Sequence, residues 1–374
     1  MRITGAVLEV AGASAPFAKS RPLVVSELVL DAPGPGELLV RIEVAGVCHS
    51  DLSVVDGNRT RQTPMLLGHE AAGIVEGTGD GVTGVAVGDR VVMTFLPRCG
   101  ECAGCATGGR LPCERGSAVN NAGTLLGGAS RLHRDGHPVF HHLGVSAFAT
   151  HAVVNQASVV HVDADIPPEV AALLGCAVLT GGGAVVNAAQ PAAGDTIMVV
   201  GLGGVGLAAV LVAIALGHRV IGVDGVRHKL DAALELGVAE VYTPAELGDV
   251  KAPIVIEAAG NARAFETAFT ATAPGGKTVT VGLPAPDARS SLSPLTLTAE
   301  ARTVIGSYLG SALPSRDIPL FAQLWREGRL PVEKLISSRI RLDQLNEAMD
   351  ALAEGRALRQ LVVFDTTPSK GPTP

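Results

Sequence analysis

The stretch from Ile197 to Gly206 constrains the fold more than any other part of this 374-residue chain. Four β-favouring residues, Ile197-Met-Val-Val200, run straight into Gly201, Gly203, Gly204 and Gly206, and an uncharged apolar run continues to Gly217. By length and composition alone the run would span a bilayer. The glycines argue otherwise, since a strand, a glycine turn and a buried helix is the simpler reading. Asp195 and His218 flank the run without the basic cluster that orients a membrane span.

Gly201-Leu-Gly-Gly-Val205-Gly206 fits G-x-G-x-x-G at a strand-to-helix junction. The first glycine permits the tight turn, the second admits a pyrophosphate close to the backbone, and the third lets helix and strand pack closely. The helix N-terminus then offers oriented N–H groups to negative charge. A second strand, Val220-Ile-Gly-Val-Asp224, ends in an acid about twenty positions further on, as a dinucleotide fingerprint requires. Asp224 would accept from ribose hydroxyls and repel a 2′-phosphate, which favours NAD over NADP. Arg227 and Lys229 temper that preference, because cations there would help to hold a phosphate.

Around this unit the texture changes twice. Before Pro167 the chain is turn-rich and strand-like, with Leu38–Ala45 alternating, Gly73–Val75 and Arg90–Phe95. Beyond Pro168 strands alternate with helices: Val241–Tyr242, Ile254–Glu257 and Thr278–Val281 against Arg227–Leu236 and Ala262–Thr272. That alternation predicts a parallel, doubly wound sheet. After Tyr308 come two amphipathic helices, Asp317–Glu327 and Leu342–Glu354, and a short strand at Gln360–Phe364. The expected organisation is a β-rich domain over 1–177, an α/β dinucleotide domain over 178–308, a return segment over 309–365 and a disordered tail over 366–374. A net charge of −7 gives no footprint for nucleic acid or an anionic membrane. The N-terminus shows no signal-peptide core, and the expected location is cytoplasmic.

Six cysteines are too few for a disulfide-built scaffold. Cys99, Cys102, Cys105 and Cys113 follow C-x2-C-x2-C-x7-C within a lobe over 97–113. Four thiolates this close can reach one ion and leave no open position, which suits a structural zinc. An iron–sulfur cluster is the competing occupant. Cys48, Cys176 and His69, taken singly, are most simply two buried thiols and a turn histidine.

Taken jointly, Gly46-Val-Cys-His-Ser-Asp51, Gly68-His-Glu70, the four-cysteine lobe, Gly175-Cys176 and Gly201–Gly206 occur in one order along nearly the whole chain. In this the chain resembles the zinc-dependent alcohol dehydrogenases of the medium-chain dehydrogenase/reductase superfamily. The stretch His137–Ala149 is similar to the liver-type branch that includes glutathione-dependent formaldehyde dehydrogenases. The resemblance implies an α/β chain, with a Rossmann sheet beside a β-rich GroES-like catalytic domain. It also implies a reversible NAD-linked oxidation of a small alcohol to an aldehyde or ketone, with two zinc ions per chain.

By the same resemblance Cys48, His69 and Cys176 would ligate the catalytic zinc, a Cys2His set for which alcohol dehydrogenases are themselves the standing example. Ser50 would relay the substrate proton. Ser53 stands where a histidine often completes that relay. Asp51 would orient His69, and Glu70 would be either a buried brace or an alternate ligand. His49 and Arg359 would reach the pyrophosphate, while Phe95, His142 and Leu143 would line the substrate cleft. A homodimer or homotetramer is implied, joined near Leu295–Tyr308. Two other readings remain: oxidation of a thiol adduct of formaldehyde, and a non-catalytic zinc-binding homologue. The six cysteines are then fully allocated to metal, consistent with a reducing compartment.

Overall fold

In the computed structural model, which describes residues 1–364, the strands form three sheets. The tail expected over 366–374 lies outside the described residues. The strand after Ile197 is seen at Thr196–Val200, and it heads a fully parallel six-stranded sheet. Across this sheet the order is Glu240–Tyr242, Arg219–Val223, Thr196–Val200, Ala252–Glu257, Thr272–Thr280, Thr303–Gly306. Counted along the chain the order is 3-2-1-4-5-6, so the crevice at the strand-order reversal falls at the glycine turn.

The turn has the geometry its glycines suggest. Gly201 sits at φ +95° and Gly206 packs so tightly that a Cβ there would overlap the Gly201 carbonyl; Gly203 faces open space. The helix Gly204–Ala215 that follows is almost wholly buried, which explains its lack of charge without a membrane. Among the described residues the one helix long and apolar enough to span a bilayer is instead Pro168–Ala189, and 89% of its apolar window is buried inside the protein. Sequence reading recognised only where this helix opens. Its glycines explain the burial, because a Cβ at Gly181 or Gly183 would collide with backbone at Val205 or Gly310.

The remaining strands make two further sheets. One carries Arg2–Leu8 paired with Leu23–Leu30 and Met65–Leu66. The other centres on Glu37–Val47, which pairs with Glu70–Thr78 on one side and with Arg359–Val363 on the other. The last pairing, Gln360 against Val47, matters most for function. It brings the end of the described chain back beside Cys48, so that the return segment supplies Arg359 to the centre of the molecule.

Candidate active site

Cys48 ends the Glu37–Val47 strand and caps a helix over His49–Val55. His69 follows Gly68, whose φ of +92° and contact with the Phe148 backbone leave no room for a side chain. Cys176 lies in a π-helical turn, Leu174–Val178, inside the long buried helix; such turns re-aim side chains where function needs it. Gly175 makes this approach possible, since a Cβ there would strike the Met93 carbonyl. Three distant segments thereby bring Cys48 Sγ, His69 and Cys176 Sγ within 4.8 Å of one another.

Asp51 organises the cluster. Its carboxylate accepts from the Cys48 N–H and the Gly68 N–H, both at 3.2 Å, and from His69 Nδ1 at 3.0 Å. An imidazole donating through Nδ1 turns its Nε2 lone pair towards the thiols, and Nε2 lies 3.5 Å from Cys176 Sγ. Burial alone would raise the Asp51 carboxyl, but His69 and His142 outweigh it and hold it at about 2. A hydrogen bond from Cys176 takes the Cys48 thiol well below its ordinary value, against burial. For His69 burial works against the charge, yet Asp51 and Cys48 raise it well above the usual imidazole range. A buried thiolate that draws a proton onto His69 is a site where a divalent cation would take that proton's place, leaving the imidazole neutral and free to ligate. Two thiols, one oriented imidazole and, among the described residues, no fourth donor in the cluster fit zinc with an open position.

Behind this cluster Glu70 stands 3.2 Å from Arg359, both fully buried. Burial pushes the Glu70 carboxyl up to about 7, with Arg359 pulling it back. The Arg359 Nη1 donates to the Val47 carbonyl at 3.4 Å, while its Nε is buried without a partner and lies against Gly204 of the glycine turn. Arg359 therefore connects the cysteine cluster to the glycine turn. The ion pair favours the bracing role for Glu70 over that of an alternate ligand.

A cavity of about 860 Å³ joins the two sites. Cys48 and Cys176 are on its wall, as are Gly201, Gly203, Gly204, Val205, Asp224 and Lys229. His49, Ser50 and Ser53 line it too. The Ser53 hydroxyl donates to the His49 carbonyl at 2.8 Å, so its proton is already committed. Asp224 does more than end a strand: its two oxygens accept from Leu202 N–H at 2.8 Å and Val226 N–H at 2.9 Å, bracing the glycine turn. Arg227 is drawn to Asp231 at 3.5 Å, while Lys229 and Arg263 line the cavity.

Of the cleft residues expected from sequence, Phe95 lines the cavity and the other two do not. His142 is buried behind His69, with Nε2 3.3 Å from Asp51 Oδ1, because that carboxylate is the one polar partner offered to a ring otherwise enclosed. Leu143 is buried in the apolar cluster that also holds Phe95, Cys48 and Cys176. Residues that sequence reading missed take their places on the wall: Arg59, Thr180 and Tyr308. Tyr308 meets Phe95 edge-on at 5.7 Å, and Phe95 meets His69 at 5.7 Å. Only the basic pair in Asn58-Arg-Thr-Arg61 left any trace in the sequence.

The four lobe cysteines also converge, with Cys99 Sγ 4.0 Å from Cys105 Sγ and Cys102 Sγ 3.9 Å from Cys113 Sγ. Backbone N–H groups of Cys105 and Glu114 point at Cys102 Sγ and take it down to about 6, while burial takes Cys105 up to about 12. Those of Cys99 and Gly116 point at Cys113 Sγ. Amides directed at sulfur stabilise thiolate, and four protein sulfurs fill a tetrahedral shell.

Comparison with known proteins agrees with this geometry. Residues 34–164 match the family model for the alcohol dehydrogenase GroES-like domain, and residues 204–326 match that for zinc-binding dehydrogenases. The chain is 37% identical to geraniol dehydrogenase of Castellaniella defragrans, over 92% of this chain and 95% of that one. It is 35% identical to the NDMA-dependent alcohol dehydrogenase of Amycolatopsis methanolica, over 97% and 99%. The crystal structure of an alcohol dehydrogenase zinc-binding domain protein from Burkholderia ambifaria superposes with a TM-score of 0.90 at 30% identity, covering 97% of this chain and 99% of that one. The chain belongs to the zinc-dependent alcohol dehydrogenases of the medium-chain dehydrogenase/reductase superfamily. It is accordingly a zinc-type oxidoreductase.

Proposed function

We propose that the protein is an NAD-linked alcohol dehydrogenase with two zinc ions per chain, one catalytic and one structural. The observation that carries this reading is one cavity whose wall carries Cys48 and Cys176, the two thiols that meet His69, together with the glycine turn. The reaction takes an alcohol and NAD+ to an aldehyde or ketone, NADH and a proton, and runs in either direction. Cys48 Sγ, His69 Nε2 and Cys176 Sγ would hold a zinc ion, which would supply Lewis acidity to make an alcohol hydroxyl more acidic and to polarise a carbonyl.

The chain's own residues supply the rest. Asp51 fixes the His69 tautomer. Ser50, on the cavity wall, accepts the substrate proton. Since Ser53 donates its hydroxyl proton to the His49 carbonyl, it can accept a proton but must rotate to pass one on, and solvent is the more direct outlet. The N–H groups of the glycine turn, with Arg359 Nε behind Gly204, hold the pyrophosphate. Asp224 takes the ribose hydroxyls with the lone pairs its two backbone bonds leave free. The unpaired edge of Thr303–Gly306, with Leu295 exposed nearby, is where a second copy would join the sheet.

The reading is tested by following NADH formation with primary, secondary and aromatic alcohols, and with formaldehyde in the presence and absence of low-molecular-weight thiols. Simple alcohols are expected to reduce NAD+ without a thiol. Turnover of formaldehyde alone, dependent on thiol, would shift the assignment to thiol-adduct oxidation; no turnover of any compound would favour a non-catalytic homologue.

Cofactor choice has its own test. Asp224→Ser is expected to raise KM for NAD+ by about tenfold or more, since it removes both the ribose acceptor and a brace of the turn. Its NAD-to-NADP ratio of kcat/KM should fall with it. An unchanged ratio would show that Asp224 braces the turn without reading the ribose.

A further inference from the structure

The cysteine cluster and the glycine turn account for most of the cavity wall, but not for the loop after the His49–Val55 helix. There Arg59 lines the cavity beside Phe95 and Tyr308. The buried Arg359 on the same cavity wall, by contrast, has a carboxylate partner in Glu70. Among the described residues neither Arg59 nor Arg61 forms such a pair. Asp56, the acid closest in sequence, is occupied by the backbone and side-chain amides of Asn58 at 2.9 and 2.8 Å. Arg61 reaches only the Asn121 side-chain oxygen, at 3.2 Å, and its Nε is buried with no partner.

The two guanidiniums also feel each other. Burial, and after it Arg59, lowers Arg61 from its ordinary value. Arg59 and Tyr308 share the cavity wall, and burial raises the Tyr308 phenol while both arginines pull it back. That ring touches Phe95, and Phe95 touches the metal-facing His69. Like charges held together, one partly withdrawn from water and neither neutralised, are costly unless an anion arrives. Arginine forks match the paired oxygens of a carboxylate or phosphate. The cofactor's phosphates are already provided for by the glycine turn, Lys229 and Arg359.

We infer that the substrate is an alcohol, or the matching aldehyde, that carries an oxyanion, and that Arg59 and Arg61 are the specificity-determining residues which recognise it. This rests on the alcohol dehydrogenase reading above and narrows it to a substrate class. The hydroxyl end reacts at the cysteine cluster, and the anionic end stays at the Arg59–Arg61 loop.

The test uses the full-length, zinc-loaded protein with NAD+ and three matched substrates: hexan-1-ol, 6-hydroxyhexanoate and the monophosphate of hexane-1,6-diol. At least one anionic compound is expected to exceed hexan-1-ol in kcat/KM by about tenfold or more, and the better one identifies the oxyanion. In Arg59→Gln/Arg61→Gln that ratio should fall towards one, and in Arg59→Lys/Arg61→Lys part of it should return. Equal kcat/KM for neutral and anionic alcohols would overturn the inference and leave the alcohol dehydrogenase reading standing. So would a rise in KM for NAD+ with the ratio intact, since the arginines would then serve the cofactor. If no alcohol is oxidised, the alcohol reading itself fails, and calorimetric binding of 6-hydroxyhexanoate decides the rest. Binding that the Gln variant loses supports the anion site; absent or unaltered binding refutes it.

Discussion

Cys48→Ser is expected to lower kcat by at least about a thousandfold while leaving the fold and the lobe metal in place. The hydroxyl of serine is a far poorer zinc ligand than a thiolate, and the remaining pair, His69 and Cys176, cannot hold an ion in the same position. Folding should survive, because serine is a good helix N-cap and the Cys48 N–H to Asp51 bond is made by the backbone. The checks are steady-state NADH formation, far-ultraviolet circular dichroism and zinc content. Normal alcohol turnover in this variant would remove Cys48 from the chemistry altogether.

Cys113→Ser acts on stability instead. Its sulfur collects two backbone amides, meets Cys102 and caps the helix Glu114–Ala122, so its loss releases the lobe metal and frees the polypeptide around it. The expected cost is about 3–5 kcal/mol, in the range for losing a structural metal site, seen as a large drop in Tm or as aggregation. The damage should travel to the catalytic cavity by a defined route. Arg98 ties the lobe carbonyls of Gly109 and Leu111 to the carbonyl of Ala312, and Gly109 packs directly on Ser311. The segment Tyr308–Ser311 is part of the cavity wall, so a loosened lobe is expected to raise KM for substrate before the protein unfolds. A variant with unchanged Tm would mean that the four sulfurs clasp no ion of structural weight.

How much of this was legible beforehand follows from how each feature is encoded. The glycine turn was readable because its constraint is local: a positive φ at Gly201 and a forbidden Cβ at Gly206 leave the sequence no alternative. The lobe was readable for the same reason, with four ligands on one short loop. The Cys48–His69–Cys176 cluster became visible only through resemblance, since three segments far apart in sequence meet there. His142 was misplaced because nothing local reveals that a ring at that position turns away from the cavity to face Asp51. Arg59 and Tyr308 were missed for a related reason: a cavity wall assembled from a loop and a distant turn has no sequence period. The apolar excess was read correctly at Gly204–Ala215, yet the longest apolar helix, Pro168–Ala189, was overlooked because glycines and π-helical turns disguise its continuity.

The central claim is that two separate zinc sites exist and that only one serves turnover. The most direct measurement is zinc per chain, determined together with NADH formation, in the unaltered protein, in Cys48→Ser and in Cys113→Ser. Two zinc ions with activity, one without activity in Cys48→Ser, and one with residual activity in whatever Cys113→Ser remains folded is the result the account predicts. One ion or none in the intact, active protein, or full activity in Cys48→Ser with a single zinc, would contradict it.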